Sequence, residues 1–139
     1  MKLYENDADR KNEQKFAEHL LKEYDCLASK LDMKYGVDFF VSGSDGRALC
    51  WIEYKHRSRI FDTYMISVYK IWRGRSLAQN TGMEFKIVVE SDQKYYTVNI
   101  TENVLLGSTI GIGGRKDRVG AGGHIEPMYF IPWDMFQEI

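Results

Sequence analysis

Several common signatures are missing from this chain. Only two cysteines occur in 139 residues, Cys26 and Cys50. Their spacing is not of a metal-binding type, so they read as buried thiols in a reducing compartment, with a bridge left open. The three histidines, His19, His56 and His124, are scattered and make no zinc pattern. No run of about 18 apolar residues exists, and the N-terminus is polar and charged, which argues against a membrane helix and a signal peptide. A cytoplasmic protein with no membrane partner is expected, and a phage-infected or bacterial cell suits it. An excess of one charge is also missing. Nineteen basic residues face twenty acidic ones, a net charge of −1, so the chain as a whole has no pull toward nucleic acid. Any polyanion must be held by local clusters of basic residues. There is no internal repeat and no domain boundary.

What is present describes one globular domain. Hydrophobic residues make up 44% and charged residues 28%, the composition of a folded chain rather than a disordered one, and 139 residues bury a reasonable core.

The segment DFFVSGSDGRALCWIEYK holds the chemistry. Two apolar runs flank the turn-like SGSDG, which predicts a β-hairpin. Its strands are expected near 37–42 and 48–55, with the turn at 43–46. Glu53 and Lys55 are two apart on the second strand and so share a face. The hairpin brings Asp38 alongside them. Two carboxylates and one ammonium would then meet at strand ends, a grouping that suits a divalent cation and a water to be activated. Leu49-Cys50-Trp51-Ile52 reads as a buried strand, and charges at the end of such a strand must be paired or bind metal.

The remaining elements follow from periodicity. Residues 7–31 predict a helix, with Phe16, Leu20, Leu21, Tyr24 and Leu27 near a 3.6 period and Asp7 or Asn12 as its cap. Residues 62–81 predict a second helix with Asp62 as N-cap and Asn80-Thr81-Gly82 as the stop. Its expected core face is Tyr64, Met65, Val68, Ile71, Trp72 and Leu77. Trp51, Tyr54, Tyr69 and Trp72 are read as core rather than base-stacking residues. Strands are expected at 84–90 and 95–100, a glycine-rich basic loop at 107–123, a short strand at 127–130 and a helical turn at 132–136. The fold class is therefore α/β: a single domain with a mixed central sheet of four to five strands flanked by helices.

This order and these residues resemble the PD-(D/E)XK nuclease superfamily, with its restriction-endonuclease-like core. The likeness covers about residues 12–100 and is greatest to Holliday-junction resolvase-type and small phage-type members. The family's Asp falls on Asp38, its Glu on Glu53 and its Lys on Lys55. Its first-helix acid falls on Glu13, with Glu18 as the competing choice. Val37 stands where the family motif has proline, and the glycine-rich segment lies outside the common core. The resemblance implies a metal-dependent deoxyribonuclease using Mg²⁺ or Mn²⁺. Asp38 and Glu53 would be cation ligands, with the Ile52 carbonyl as a third, while Glu13 would hold a water or a second ion. Lys55 would orient the attacking water. The plainer alternatives are an ion pair of Lys55 with either carboxylate and a merely exposed Glu13.

DNA is the implied partner. Arg57, Arg59, Lys70, Arg73, Arg75, Arg115 and Lys116 are the candidate phosphate contacts, which position a strand without reading sequence. The glycine segment lacks the spacing of a phosphate-binding loop and reads instead as a flap over DNA. A homodimer would suit two-strand or junction cutting. The rival expectations are a non-catalytic nucleic-acid- or protein-binding module on the same fold, and an interaction protein in which these charges form surface ion pairs.

Overall fold

The computed structural model describes residues 7–115 and 124–139. Strand β1 (Cys26–Lys30) follows helix α1 (Asp7–Tyr24), and the hairpin β2 (Phe39–Gly43) and β3 (Ala48–His56) comes next. Strand β4 (Thr63–Ser67) leads directly into helix α2 (Val68–Thr81). A second hairpin, β5 (Glu84–Ser91) and β6 (Lys94–Asn99), precedes the short helix α3 (Glu102–Leu106). The chain ends with β7 (Thr109–Arg115), β8 (His124–Pro132), a 3₁₀ turn at Trp133–Met135 and β9 (Gln137–Glu138).

The expected mixed sheet is the centre of the molecule, and it is larger than expected. Six strands run in the order β1-β2-β3-β5-β6-β9, and a second sheet of three strands runs β4-β8-β7. The β3–β5 pair is parallel and the other pairs of the large sheet are antiparallel. Burial of every residue from Cys50 to Tyr54 follows from cover on both sheet faces. Cys50, Ile52 and Tyr54 pack with Phe16 and Leu20 of α1. Trp51 turns the other way, into a cluster with Ile71 of α2, Tyr64 and Ile66 of β4, and Ile131 of β8. Glu53 and Lys55, in phase with Trp51, point to that second face.

Four expectations are corrected. The first helix does not reach residue 31. Asp25 adopts a left-handed φ of 55° and ends it, and residues 26–30 pair with β2. The second helix does not start at Asp62. Residues 63–67 are a strand, and the Ser67 hydroxyl accepts the Lys70 N–H as the N-cap. Met65, Tyr69 and Trp72 are not core: they are 41%, 61% and 74% exposed. Much of the expected glycine loop is strand β7, paired along its length with β8; residues 116–123 lie outside the described residues. Gly82 does stop α2, with φ 71° and its N–H on the Ala78 carbonyl. Gly74 lets α2 sit down on the sheet, since a Cβ there would lie 2.2 Å from the Phe85 ring.

Candidate active site

Asp38 immediately precedes β2, where the ladder to β3 begins. Its N–H donates to the Ile52 carbonyl at 3.0 Å, and its carboxylate accepts the Tyr54 N–H at 2.8 Å. The side chain thus caps the edge of β3 beside the peptide that follows Glu53. The Ile52 carbonyl is taken up by this ladder bond. In an antiparallel pair, residues two apart direct their main-chain groups to the same partner. The Tyr54 carbonyl therefore points the same way as Ile52, toward Asp38.

Glu53 is 1% exposed, an unusual place for a carboxylate. One oxygen, Oε2, accepts from Lys70 Nζ at 2.7 Å. The other, Oε1, is buried and has no hydrogen-bond partner among the described residues. Burial pushes the Glu53 carboxyl above the usual glutamate range, Asp38 adds to the shift, and Lys70 and Lys55 oppose it. Burial alone would lower the affinity of Lys70 for its proton, but Glu53 and Asp38 outweigh it and the ammonium holds its proton more tightly.

Glu13 reaches the site from α1 through Lys30. Lys30 Nζ donates to Glu13 Oε2 at 2.8 Å and to Asp38 Oδ1 at 3.3 Å. One ammonium therefore joins the helix acid to the hairpin acid. Burial works against its charge, yet Asp38 and Glu13 prevail and raise its proton affinity. Glu18, the competing helix acid, lies on an exposed face and meets Gln14 instead.

Lys55 stands apart. Among the described residues no hydrogen bond or ion pair engages its ammonium, because Lys70 and Lys30 supply the cations for Glu53 and Asp38. Burial lowers its proton affinity, and Lys70 adds to the effect against the opposing pull of Glu53 and Asp38. The plain ion pair weighed for Lys55 is thus made by two other lysines.

No group of three or more His, Cys, Asp or Glu side chains is disposed to hold a metal among the described residues. A hard divalent cation that keeps several of its waters needs only one or two carboxylates. Asp38 and Glu53, with the unpartnered Glu53 Oε1, fit that requirement.

A family model described as phage putative PDDEXK endonuclease matches residues 1–139. The chain belongs to this family. Among solved structures, the Holliday junction resolvase Hjc of Archaeoglobus fulgidus is similar at a TM-score of 0.53 and 15% identity, over 85% of this chain and 88% of that one. At that identity the likeness is one of fold. No curated protein matches the sequence.

The basic residues expected on phosphates fall into four groups in this PDDEXK chain. Lys70 is a partner of Glu53 inside the site, not a free surface cation. Arg73 donates to the Lys34 carbonyl, and Arg75 to the Ile100 carbonyl at 3.5 Å. Arg57 and Arg59 are exposed, each over an aromatic ring, Tyr64 and Phe61. Lys116 and the Arg115 side chain lie outside the described residues. His56, next to the site, is 3.5 Å from Glu90. Sequence reasoning missed Lys30 altogether. Its signal was the strand at 26–30, whose end pairs with Phe39 beside Asp38. No helix of the described residues is long and apolar enough to cross a membrane.

Proposed function

We propose that this protein is a divalent-cation-dependent DNA endonuclease with a preference for branched or junction DNA. Asp38 and Glu53 are its cation ligands, Glu13 holds water at the edge of the site, and Lys55 positions the attacking water. The observation that carries this reading is the placement of Lys55. It shares a strand face with a buried, half-satisfied carboxylate, and its ammonium is left out of the ion pairs around it.

The chemistry supports those roles. Phosphodiester hydrolysis needs a nucleophilic water and compensation of charge on the phosphate. Mg²⁺ or Mn²⁺, when bound, supplies Lewis acidity and lowers the pKa of water. The chain's own residues do the rest. Asp38 is fixed by the Tyr54 N–H on Oδ2, so Oδ1, 3.3 Å from Lys30 Nζ, keeps a set direction. Burial of Glu53 keeps that carboxylate dry and makes any interaction with a cation stronger. Lys55, with lowered proton affinity, can donate to water or to the scissile phosphate as a compact point charge. The Tyr54 carbonyl, directed toward Asp38, supplements or replaces Ile52 as the main-chain oxygen. Arg57 and Arg59, just beyond Lys55 in sequence, hold flanking phosphates, and Arg73, Arg75, Arg115 and Lys116 extend the contact.

A homodimer belongs to the same reading. Ile110, Ile112 and Ile125 lie on one face of the β7–β8 ribbon at 61%, 79% and 74% exposure, an apolar surface that a second copy would cover. Sedimentation of the protein and of an Ile110→Lys, Ile112→Lys variant tests it. One observation favours a rival. Both proposed cation ligands, Asp38 and Glu53, are already paired with lysines, as they would be in a non-catalytic binding module.

The deciding experiment is cleavage of labelled single-stranded, duplex, flap and four-way-junction DNA with Mg²⁺ or Mn²⁺. Wild type runs beside Asp38→Ala and Lys55→Ala, each checked for folding. Cutting by wild type alone supports the nuclease. No cutting, or equal cutting by folded variants, leaves the binding module as the better account.

A further inference from the structure

A pocket adjoins the proposed active site. It has a volume of about 160 Å³, and its wall includes Arg57, Arg59, Phe61, Tyr64, Val89 and Trp133. Its position follows from the sheet. Val89 of β5 is the register partner of Lys55 in β3, and neighbouring strands lie about 5 Å apart. The pocket therefore opens beside Lys55, on the side toward which the chain runs on to Arg57.

Its lining combines two kinds of group. Phe61 is 63% exposed and Ile60 36%, although both are large and apolar. Arg57 lies over the Tyr64 ring, 5.4 Å from its centroid, and Arg59 over the Phe61 ring at 5.2 Å. Each guanidinium lies within cation–π range of a ring and keeps N–H groups for an anion. Trp133 is part of the lining, with its backbone N–H on the Asp62 carbonyl at 2.8 Å and its ring stacked on Phe136. Aromatic faces next to arginine planes are the surfaces on which unpaired bases stack. The cavity has room for one planar ring system and not for a base pair. A base held in a duplex could not enter it.

We propose that this pocket receives one unpaired nucleobase of DNA beside the scissile phosphate, with Arg57 and Arg59 on the adjoining phosphates. The proposal rests on the nuclease reading for its scissile phosphate. It assigns the preference for branched DNA to Phe61 and Trp133 rather than to the carboxylate site. An unpaired nucleotide is found at a flap or where pairing opens at a branch point, and is absent from continuous duplex.

Binding without cleavage tests it. In EDTA, fluorescence anisotropy would compare a short labelled oligo(dT) with an abasic oligomer of the same length and phosphate count. Wild type should bind the oligo(dT) about tenfold more tightly, equivalent to about 1.4 kcal/mol. Phe61→Ala should remove that ratio, bringing oligo(dT) binding down to the level of the abasic oligomer. Arg57→Ala should weaken both oligomers together. Wild-type binding that is equal for the two, or no binding of either, overturns the proposal, as does a ratio that survives in folded Phe61→Ala. The cleavage assay reports separately: cutting with a ratio of one sinks the pocket alone, and a ratio of ten without cutting keeps the pocket and sinks the nuclease.

Discussion

Replacing Glu53 with Gln should make the cation-free protein more stable while disabling its site. The carboxylate is 1% exposed, and Oε1 has no partner among the described residues. A buried polar group without a partner costs about 1–3 kcal/mol, and more when charged. The ion pair to Lys70 offsets part of this. Lys70 is 40% exposed, so solvent screens the pair and its contribution is nearer about 0.2–1 kcal/mol. Glutamine keeps the shape and an acceptor for Lys70 while removing the charge. Its amide still lacks a full set of partners, so the net gain is about 1 kcal/mol. For a chain of this size that is roughly 3–4 °C in Tm.

The sign with pH is fixed by the raised carboxyl of Glu53. A carboxyl whose folded pKa lies above its unfolded value stabilises the fold below the unfolded pKa, near 4.5. That contribution is lost as pH rises through the folded value. The advantage of Glu53→Gln should therefore be absent at acid pH and grow as pH rises through the folded value. Added Mn²⁺ should reverse the order. At one hundred times Kd a ligand stabilises the fold by about 2.7 kcal/mol, and only wild type should gain it. Thermal melts in EDTA and in Mn²⁺, across pH, measure all of this. A Glu53→Gln protein less stable than wild type in EDTA at neutral pH, or one that gains equally from Mn²⁺, would refute the reasoning.

Three further outcomes are expected. Gly74→Ala puts a Cβ 2.2 Å from the Phe85 ring between α2 and β5, so it should cost about 1–3 kcal/mol by denaturant unfolding, although alanine is the better helix former. Burial pushes the Cys50 thiol up to about 11. At pH 8 only about one in a thousand is thiolate, so iodoacetamide should modify native protein at Cys26 and reach Cys50 only after denaturation, as read by peptide mass mapping. A double-mutant cycle of Lys30→Met with Glu13→Gln should give a coupling of about 0.2–1 kcal/mol that shrinks in 1 M salt, since the Lys30 side chain is 42% exposed.

The hairpin carrying Asp38, Glu53 and Lys55 was legible because alternation, turn residues and an apolar run agree locally. Strands β5 and β6 were legible for the same reason. Strand β1 was hidden because Leu27 and Ala28 continue the helical period of α1, and the break falls on Asp25 rather than on glycine or proline. Strand β4 was hidden because Met65 is apolar yet exposed, which erases the alternation of burial seen in the fold. The lysines at the carboxylates had no local signature. Lys30 meets Glu13 across 17 residues of sequence, and Lys70 meets Glu53 across the same separation. Such contacts depend on how α1 and α2 pack on opposite faces of the sheet. Trp72 marks the limit of periodicity: it falls on the expected core face of the helix and is 74% exposed.

The measurement that bears most directly on the central claim compares wild type with Lys55→Ala in two assays on one preparation: Mn²⁺ binding by calorimetry and cleavage of a four-way junction. Lys55 is assigned to the water and the phosphate, and the carboxylates to the cation. Mn²⁺ affinity should therefore stay within about threefold, while cleavage falls by about 10²–10³-fold, the usual cost of losing one transition-state donor. Cleavage that survives Lys55→Ala, or that is lost only because Mn²⁺ no longer binds, would contradict the account.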